Sequence, residues 1–347
     1  MMPARGYAAI TSRSPLEPFA FERRDVGAHD VLIDIAACGV CHSDIHQAES
    51  DWGPDIFPMV PGHEIVGTVS EVGSDVTRFA VGDRVGVGCY VDSCRECDMC
   101  RSGDENYCPD WSTTYNGYHR DGVSPTYGGY SDRLVVDQRY VLRIPEGPDT
   151  FAVAPLLCAG ITVYPPLKQY AGPGLDVAVV GLGGLGHVAV RIAKAMGSRV
   201  TVISHSPGKE ADALRLGADA FVASSDPKAL NPLRKAFDMV LSTVSSPIDL
   251  DAYLRTLKTR GTLVIVGLPV EDMSFNAGTL VEEARGIVGA KLAGVEMTQE
   301  MLDFCAEHGI VADVEVIDIA DISAAWERVK ASDVRYRFVI DIAGTLA

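Results

Sequence analysis

The chain has 347 residues and a mass of 37.1 kDa, with 30 basic against 47 acidic side chains and a net charge of −17. That charge argues against nucleic acid, whose phosphates need a cationic surface, and against docking on anionic lipid. A 47% apolar share supplies a packed core, and no apolar run reaches the ~20 residues that cross a bilayer, so a cytoplasmic protein of about two domains is expected.

Residues 1–157 read as β-rich. Short apolar runs such as VLIDIAAC, IVGTVSEVG and DRVGVGCYV are broken by Gly, Pro and Asp. The run GYSDRLVVDQRYVLRIPEG continues the pattern. From about residue 175 the rhythm changes. Strands over 175–180, 199–204, 220–223, 237–243, 261–267 and 286–291 alternate with helices over 187–196, 208–216 and 250–258. A further helical stretch is expected between 223 and 237. Such alternation means βαβ units and a parallel sheet, and a glycine-rich first turn fits a Rossmann doubly wound α/β fold. The tail offers a helix over 299–308, the strand VEVIDI, the helix ISAAWERVKA and the closing strand RYRFVIDI. This is not another βαβ repeat, so residues 296–347 are expected to rejoin 1–157 as one domain around a nucleotide domain of 158–295. Charge follows the same division, with nets of −12, +2 and −7 over 1–157, 158–295 and 296–347. A near-neutral middle suits a polyanionic ligand.

Nine cysteines are many for a chain with no secretion signal, and clustering points to metal rather than disulfides. Cys94, Cys97, Cys100 and Cys108 place four thiols within one loop, enough to enclose a tetrahedral zinc. An iron–sulfur cluster is the other group such a run can hold. Either way the site is closed, which implies stability rather than catalysis. A second set is dispersed. Cys41 and His63 need a remote third ligand to make an open catalytic zinc site, and Cys158 in APLLCAGITVY stands at the domain junction. Asp44 is placed to hold the outer nitrogen of His63. Taken singly, each of these residues also reads as an ordinary core thiol or hydrogen-bonded imidazole. Cys38, Cys89 and Cys305 are expected in the core.

Gly181-Leu182-Gly183-Gly184-Leu185-Gly186 follows an expected strand and opens an expected helix, as a dinucleotide turn must. An NAD site carries an acid about twenty residues later, on the ribose hydroxyls. No acid occurs from Val177 to Lys209. In its place are Ser204, His205, Ser206 and Lys209, which would receive a 2′-phosphate, so NADP(H) is expected. The plainer reading of these residues is a polar turn before the next helix.

The pattern Gly62-His63-Glu64-x2-Gly67-x5-Gly73-x2-Val76, with GVCHSDIH, the Cys94–Cys108 loop, PLLCAGITVYPPL and GLGGLGH in that order, resembles the zinc-containing medium-chain alcohol dehydrogenases. The resemblance runs over nearly the whole chain. It is greatest to the cinnamyl alcohol dehydrogenase branch and its bacterial aldehyde-reductase relatives. It implies a GroES-like catalytic domain, NADP(H) and two zinc ions. The catalytic zinc would be held by Cys41, His63 and Cys158, with Glu64 supporting or alternating as ligand. The structural zinc would be held by Cys94, Cys97, Cys100 and Cys108. Ser43 and His46 match the proton relay, and His42 matches a residue that meets the cofactor pyrophosphate. The implied reaction is hydride transfer between NADPH and aldehydes, whether aliphatic, benzylic or cinnamyl, in a homodimer. Gln47, Trp52, Met59, Thr113 or Thr114, Val270, Leu292 and Val295 are the implied pocket residues, although Trp52 reads equally as core. Thr113 and Thr114 stand where plant cinnamyl enzymes carry a Trp, which favours a broad aldehyde range. The alternatives are an NAD-linked polyol dehydrogenase, opposed by the missing acid, and a zinc or redox sensor built on the four-cysteine loop. The sensor would need neither a glycine turn nor a second, open site.

Overall fold

The computed structural model describes every residue except 54, 227 and 347. Strands β1 (Met2–Ala9) and β2 (Leu16–Arg23) form a hairpin, followed by β3 (Asp30–Gly39), helix α1 (His42–Ala48), β4 (Ile65–Val72), β5 (Arg84–Val87) and β6 (Tyr90–Asp92). Helix α2 (Asp98–Ser102), β7 (Ser112–Thr113), β8 (Arg133–Asp137), β9 (Leu142–Arg143) and α3 (Thr150–Val153) lead to α4 (Ala159–Tyr170). Then come β10 (Asp176–Val180), α5 (Gly186–Ala195), β11 (Arg199–Ser204), α6 (Glu210–Arg215), β12 (Ala220–Ala223) and β13 (Phe237–Ser242). Helix α7 (Leu250–Thr256), β14 (Leu257–Ile265), α8 (Ala277–Val281) and β15 (Gly286–Gly289) complete the middle. The tail is α9 (Val295–Glu307), β16 (Val314–Ile317), α10 (Ile322–Lys330), β17 (Arg337–Asp341) and α11 (Ile342–Thr345). The chain divides into two units, Met1–Ile161 with Ala293–Ala347, and Thr162–Leu292. The divisions fall inside α4 and just ahead of α9.

In the first unit β3 is the axis of the main sheet. Val31, Leu32, Ile33, Ile35, Ala37 and Cys38 are all buried, so both of its faces need cover. It pairs antiparallel with β4 along one edge, and with β8 and β17 along the other. Opposite Cys38 lie Ile65 on one side and Ile340 on the other. The C-terminal end of β3, the start of β4 and the tail strand therefore meet at one end of the sheet. The tail joins the first unit because β17 supplies the strand that β3 lacks.

The second unit is a parallel sheet in the order β12-β11-β10-β13-β14-β15. Its central strands are continuous apolar runs, as burial on both faces requires. Val177, Ala178, Val179, Val200, Val202, Met239, Val240 and Leu241 have no exposed surface. The order reverses at β10, and the turn after β10 is where such folds bind ligands.

Three elements differ from their sequence expectation. Strand β14 begins at Leu257, because buried Leu257 pairs with Phe237 and the Lys258 ammonium bonds to Asp176 and Asp238, 2.7 Å each. Helix α9 begins at Val295, ahead of the expected 299. Its first N–H is met by Glu105, 3.3 Å away across the fold, a partner that local sequence cannot reveal. Between β12 and β13 the expected helix is only a single 3₁₀ turn over Asn231–Leu233, opened by Pro232, which has no N–H to give a longer ladder.

Lys258, Asp176, Asp238 and Arg199 clamp β10, β11, β13 and β14 at one end of the sheet. The Arg199 hydrogen bonds, followed by those of Lys258, hold the Asp176 carboxyl below its ordinary range. A depressed carboxylate contributes stability above its unfolded pKa of ~3.9, and loses it as pH falls through the folded value. The group is part exposed, so Lys258→Met is expected to cost about 1 kcal/mol, or ~2–4 °C in Tm, at pH 7. The gap between wild type and variant should close as pH is lowered towards 3 in thermal melts. A gap constant with pH would count against this clamp.

Candidate metal centres and nucleotide site

The dispersed metal set is assembled by sheet register. Because β3 and β4 pair with Cys38 opposite Ile65, the residues that leave β3 lie beside those that enter β4. The Gly39 N–H donates to the Glu64 carbonyl at 3.0 Å. Gly62 has φ +103, and a Cβ there would lie 2.8 Å from the Cys38 sulfur and 2.7 Å from the Tyr130 ring, so the approach requires glycine.

Asp44, fully buried in the first turn of α1, ties these segments together. Its carboxylate accepts the N–H of Cys41 (2.9 Å), the N–H of Gly62 (3.2 Å) and the hydroxyl of Tyr130 (3.2 Å). It also lies 3.1 Å from Nδ1 of His63. A proton on Nδ1 leaves Nε2 free as a ligand atom. That nitrogen is 3.2 Å from the Cys158 sulfur, which lies 3.8 Å from the Cys41 sulfur. Cys158 enters from the 3₁₀ turn Ala154–Leu157. Ligand atoms of Cys41, His63, Glu64 and Cys158 all fall within 4.8 Å of one another. Tetrahedral zinc with ~2.3 Å bonds to sulfur spaces its ligands about 3.8 Å apart, so the sulfur spacing fits.

Glu64 supports the same conclusion. Both of its oxygens are buried without a hydrogen-bond partner. Arg337, from β17, approaches to 3.4 Å without hydrogen-bond alignment. Burial pushes the Glu64 carboxyl up to about 8 against the pull of Arg337. A buried carboxyl with no hydrogen-bond partner, two converging sulfurs and a free imidazole nitrogen form a donor set that a zinc ion satisfies.

The second cluster, Cys94, Cys97, Cys100 and Cys108, also gathers its sulfurs within 4.8 Å. Cys94–Cys100 is 3.8 Å and Cys97–Cys100 is 3.5 Å. Backbone N–H groups of Cys97 and Cys94 point at the sulfurs of Cys94 and Cys108, at 3.3 and 3.4 Å. Backbone N–H bonds from Glu96 and Cys97 draw the Cys94 thiol down to about 6. Those bonds favour the Cys94 thiolate, the form that binds metal, whereas burial pushes the Cys108 thiol up to about 12. All four positions are protein ligands, so the cluster fits a structural zinc and leaves no open position.

Helix α1 also carries Ser43 and His46. The Ser43 hydroxyl lies 3.6 Å from the Cys41 sulfur. His46 stacks between His42 and Trp52, with ring centroids 4.6 and 4.7 Å away. Its Nδ1 is 2.9 Å from Asp51, and its Nε2 is buried with no partner. Asp51 also receives Arg13 at 3.0 Å. Asp51, Tyr130 and Arg337 are contributors that the sequence reading missed. Asp51 lies beyond the end of α1, and a backbone bond from its N–H to the His46 carbonyl brings it back. Of the implied pocket residues, Met59 and Thr114 are buried in packing, whereas Trp52, stacked on His46, and Val270 are exposed. Cys38 and Cys305 are buried as expected, but Cys89 is only half-buried, with its thiol directed at the Leu157 carbonyl, 4.0 Å away.

In the second unit Gly181–Gly186 turns from β10 into α5. Gly181 has φ +90, and a Cβ on Gly186 would collide with the Gly181 carbonyl. A Cβ on Gly183 would meet nothing within 4 Å, so that face is open for a phosphate to approach the backbone. Ser204 is buried at the end of β11, whereas His205 and Ser206 are exposed. The Lys209 ammonium donates to the Leu182 carbonyl at 2.8 Å, which sets a cation between the glycine turn and the end of β11. These residues fit a phosphorylated dinucleotide.

Known proteins match along the whole chain. Residues 27–146 match the alcohol dehydrogenase GroES-like domain, and residues 184–343 match the zinc-binding dehydrogenase model. The chain is 55% identical to NADP-dependent alcohol dehydrogenase C 1 of Mycolicibacterium smegmatis, over 99% of each chain. A cinnamyl alcohol dehydrogenase from Sorghum bicolor superposes with a TM-score of 0.97 at 46% identity, over 99% of this chain and 98% of that one. CAD from Helicobacter pylori, solved with NADP(H), gives 0.94 at 39% identity over 99% of each.

Asp44→Asn keeps the shape but sets an amide among four donors. It is expected to weaken zinc at the Cys41 site ~10–100-fold while leaving the other zinc in place, as read by chelator competition. Equal loss from both sites would show that the effect is general unfolding.

Proposed function

The chain belongs to the zinc-binding alcohol dehydrogenase family, and from that membership we propose how its residues divide the work. Cys41, His63 and Cys158 hold the reactive zinc, with Glu64 behind them. Cys94, Cys97, Cys100 and Cys108 hold the structural one. Gly181, Leu182, Gly183, Gly184, Leu185 and Gly186, with Ser204, His205, Ser206 and Lys209, hold NADP(H), and His42 serves its pyrophosphate. The protein is an NADP-dependent alcohol dehydrogenase that interconverts aldehydes and alcohols. One observation carries the reading above all: two sulfurs and a free imidazole nitrogen converge on one point, fixed from behind by a buried carboxylate.

When bound, zinc polarises a carbonyl oxygen and acidifies an alcohol, and NADPH supplies the hydride. The remaining work belongs to the protein. Ser43, beside the Cys41 sulfur, passes the proton to or from the reacting oxygen. His46 is the next station, and its unpartnered Nε2 is the atom that exchanges the proton. Asp51 on Nδ1 steadies the charge that His46 carries in transit. Arg337 lies 3.4 Å from the buried Glu64 carboxyl and favours its ionised form against the effect of burial. Lys209 and the serines favour the 2′-phosphate, and no acid stands at the end of β11 to repel it.

The substrate class we favour is a broad range of aldehydes, since Thr113 and Thr114 replace a bulky aromatic. We also propose a homodimer. The sheet ends at β15, whose outer edge has no partner strand among the described residues, and a bare edge invites pairing. Nine free thiols suit the reducing cytoplasm.

In an NADPH-oxidation screen over aliphatic, benzylic and cinnamyl aldehydes, kcat/KM should favour NADPH over NADH by at least ~10²-fold. Ser204→Asp should move that ratio towards NADH. A wild-type preference for NADH would overturn the cofactor assignment. Sedimentation at twice the 37.1 kDa chain mass is expected, and a monomer would refute the edge pairing.

A further inference from the structure

The segment Tyr127–Ser131, ahead of β8, runs beside the approach to His63, and the two glycines within it have no side chain to hold it in place. Its anchor comes from β2. Arg23 is 6% exposed and forms no ion pair among the described residues. Its guanidinium donates to the Tyr127 carbonyl at 2.7 Å, the Gly128 carbonyl at 3.0 Å and the Ser131 hydroxyl at 2.9 Å. Ser131 in turn donates to the same Gly128 carbonyl at 2.7 Å. A buried guanidinium with no carboxylate paired to it is costly, and an apolar side chain of similar volume is often the more stabilising choice. What the fork supplies is direction, because its rigid plane fixes several acceptors at once.

Direction at those carbonyls becomes direction at His63. A trans peptide unit is planar, with its C=O and N–H pointing opposite ways. The Tyr127 and Gly128 carbonyls gripped by Arg23 therefore aim the N–H groups of Gly128 and Gly129. These donate to the Val60 carbonyl at 2.7 Å and the Gly62 carbonyl at 2.9 Å, and the Tyr130 N–H reaches the Pro61 carbonyl at 3.0 Å. The Gly62 carbonyl belongs to the peptide unit that enters His63. The same segment carries Tyr130, whose hydroxyl donates to Asp44, the partner of His63 Nδ1. One segment thus holds His63 by its backbone and by its imidazole, and Arg23 holds that segment. We propose that Arg23 is a positioning residue for the Cys41, His63 and Cys158 site, setting the His63 imidazole through Gly129 and Tyr130 from outside the ligand set. The inference rests on reading those three residues as the reactive zinc site.

The test is zinc affinity at each site of the holoenzyme, by chelator competition, for wild type, Arg23→Met, Arg23→Lys and Leu16→Ala, with kcat and KM measured alongside. Leu16 is buried at the far end of the same strand, so Leu16→Ala lowers Tm without removing the fork. Arg23→Met should weaken the Cys41 site about tenfold, the low end for residues that support a metal ligand, and leave the four-cysteine site unchanged. It should lower kcat while KM for NADPH stays the same. Arg23→Lys keeps the charge but offers one ammonium to three acceptors, so a loss of about threefold is expected. Leu16→Ala should leave both sites unchanged. Wild-type affinity at the Cys41 site in Arg23→Lys overturns the proposal, and decides it even if Arg23→Met does not fold. Equal loss at both sites, or the same loss in Leu16→Ala, shows a general effect of stability and overturns it too. In those outcomes wild type still binds zinc at both sites and reduces aldehydes with NADPH. Wild type with zinc in the four-cysteine loop alone removes the reading of the Cys41 site, and the proposal with it.

Discussion

The buried carboxylate of Asp44 is the contact on which the cluster of Cys41, His63, Glu64 and Cys158 depends. A carboxylate with no exposure is costly unless its lone pairs are filled. Asp44 fills them with the Cys41 N–H, the Gly62 N–H, the Tyr130 hydroxyl and the His63 imidazole. These four donors come from three pieces of chain: the start of α1, the approach to β4, which supplies both Gly62 and His63, and the segment ahead of β8. The same contacts that satisfy the charge fix the orientation of His63. Orientation of the ligand and solvation of a buried charge are thus one arrangement.

The rest of the first unit makes that contact achievable. β3 is buried on both faces, so its register with β4 and β17 has little freedom. Register places Cys41, His63, Glu64 and Arg337 at the same end of the sheet. The four-cysteine loop depends on nothing of the kind. Its ligands lie close in sequence, and its own backbone N–H groups donate to the sulfurs of Cys94 and Cys108. One site is therefore local, and the other is assembled by tertiary structure from four buried residues. In the second unit a single turn does the comparable work: Gly183 leaves its backbone open, and Lys209 reaches from beyond β11 to the Leu182 carbonyl.

The sequence was most legible where chemistry and spacing coincide. The parallel strands of the second unit are readable because burial on both faces demands apolar runs, and β11 and β12 match their expected bounds. The start of α9 was not readable, because its first N–H is capped by Glu105 from far along the chain. Nor was the early start of β14, which follows from the pairing of Lys258 with two aspartates on other strands. Cys89 was read as core on composition alone, yet it is only half-buried, beside the Leu157 carbonyl.

By itself the sequence determined the ligand types, the four-thiol loop, the glycine turn and the absence of an acid after it, because each is a property of neighbouring residues. Even the net charge of −17 becomes informative once resolved along the chain, as a near-neutral nucleotide segment between acidic ends. Only the tertiary structure decided that Tyr130 shares Asp44, that Asp51 holds His46, and that Arg337 from the tail faces Glu64. Those partners lie on separate strands and turns. Strand register and backbone turns bring them together through space, and no local pattern of residue types encodes that distance.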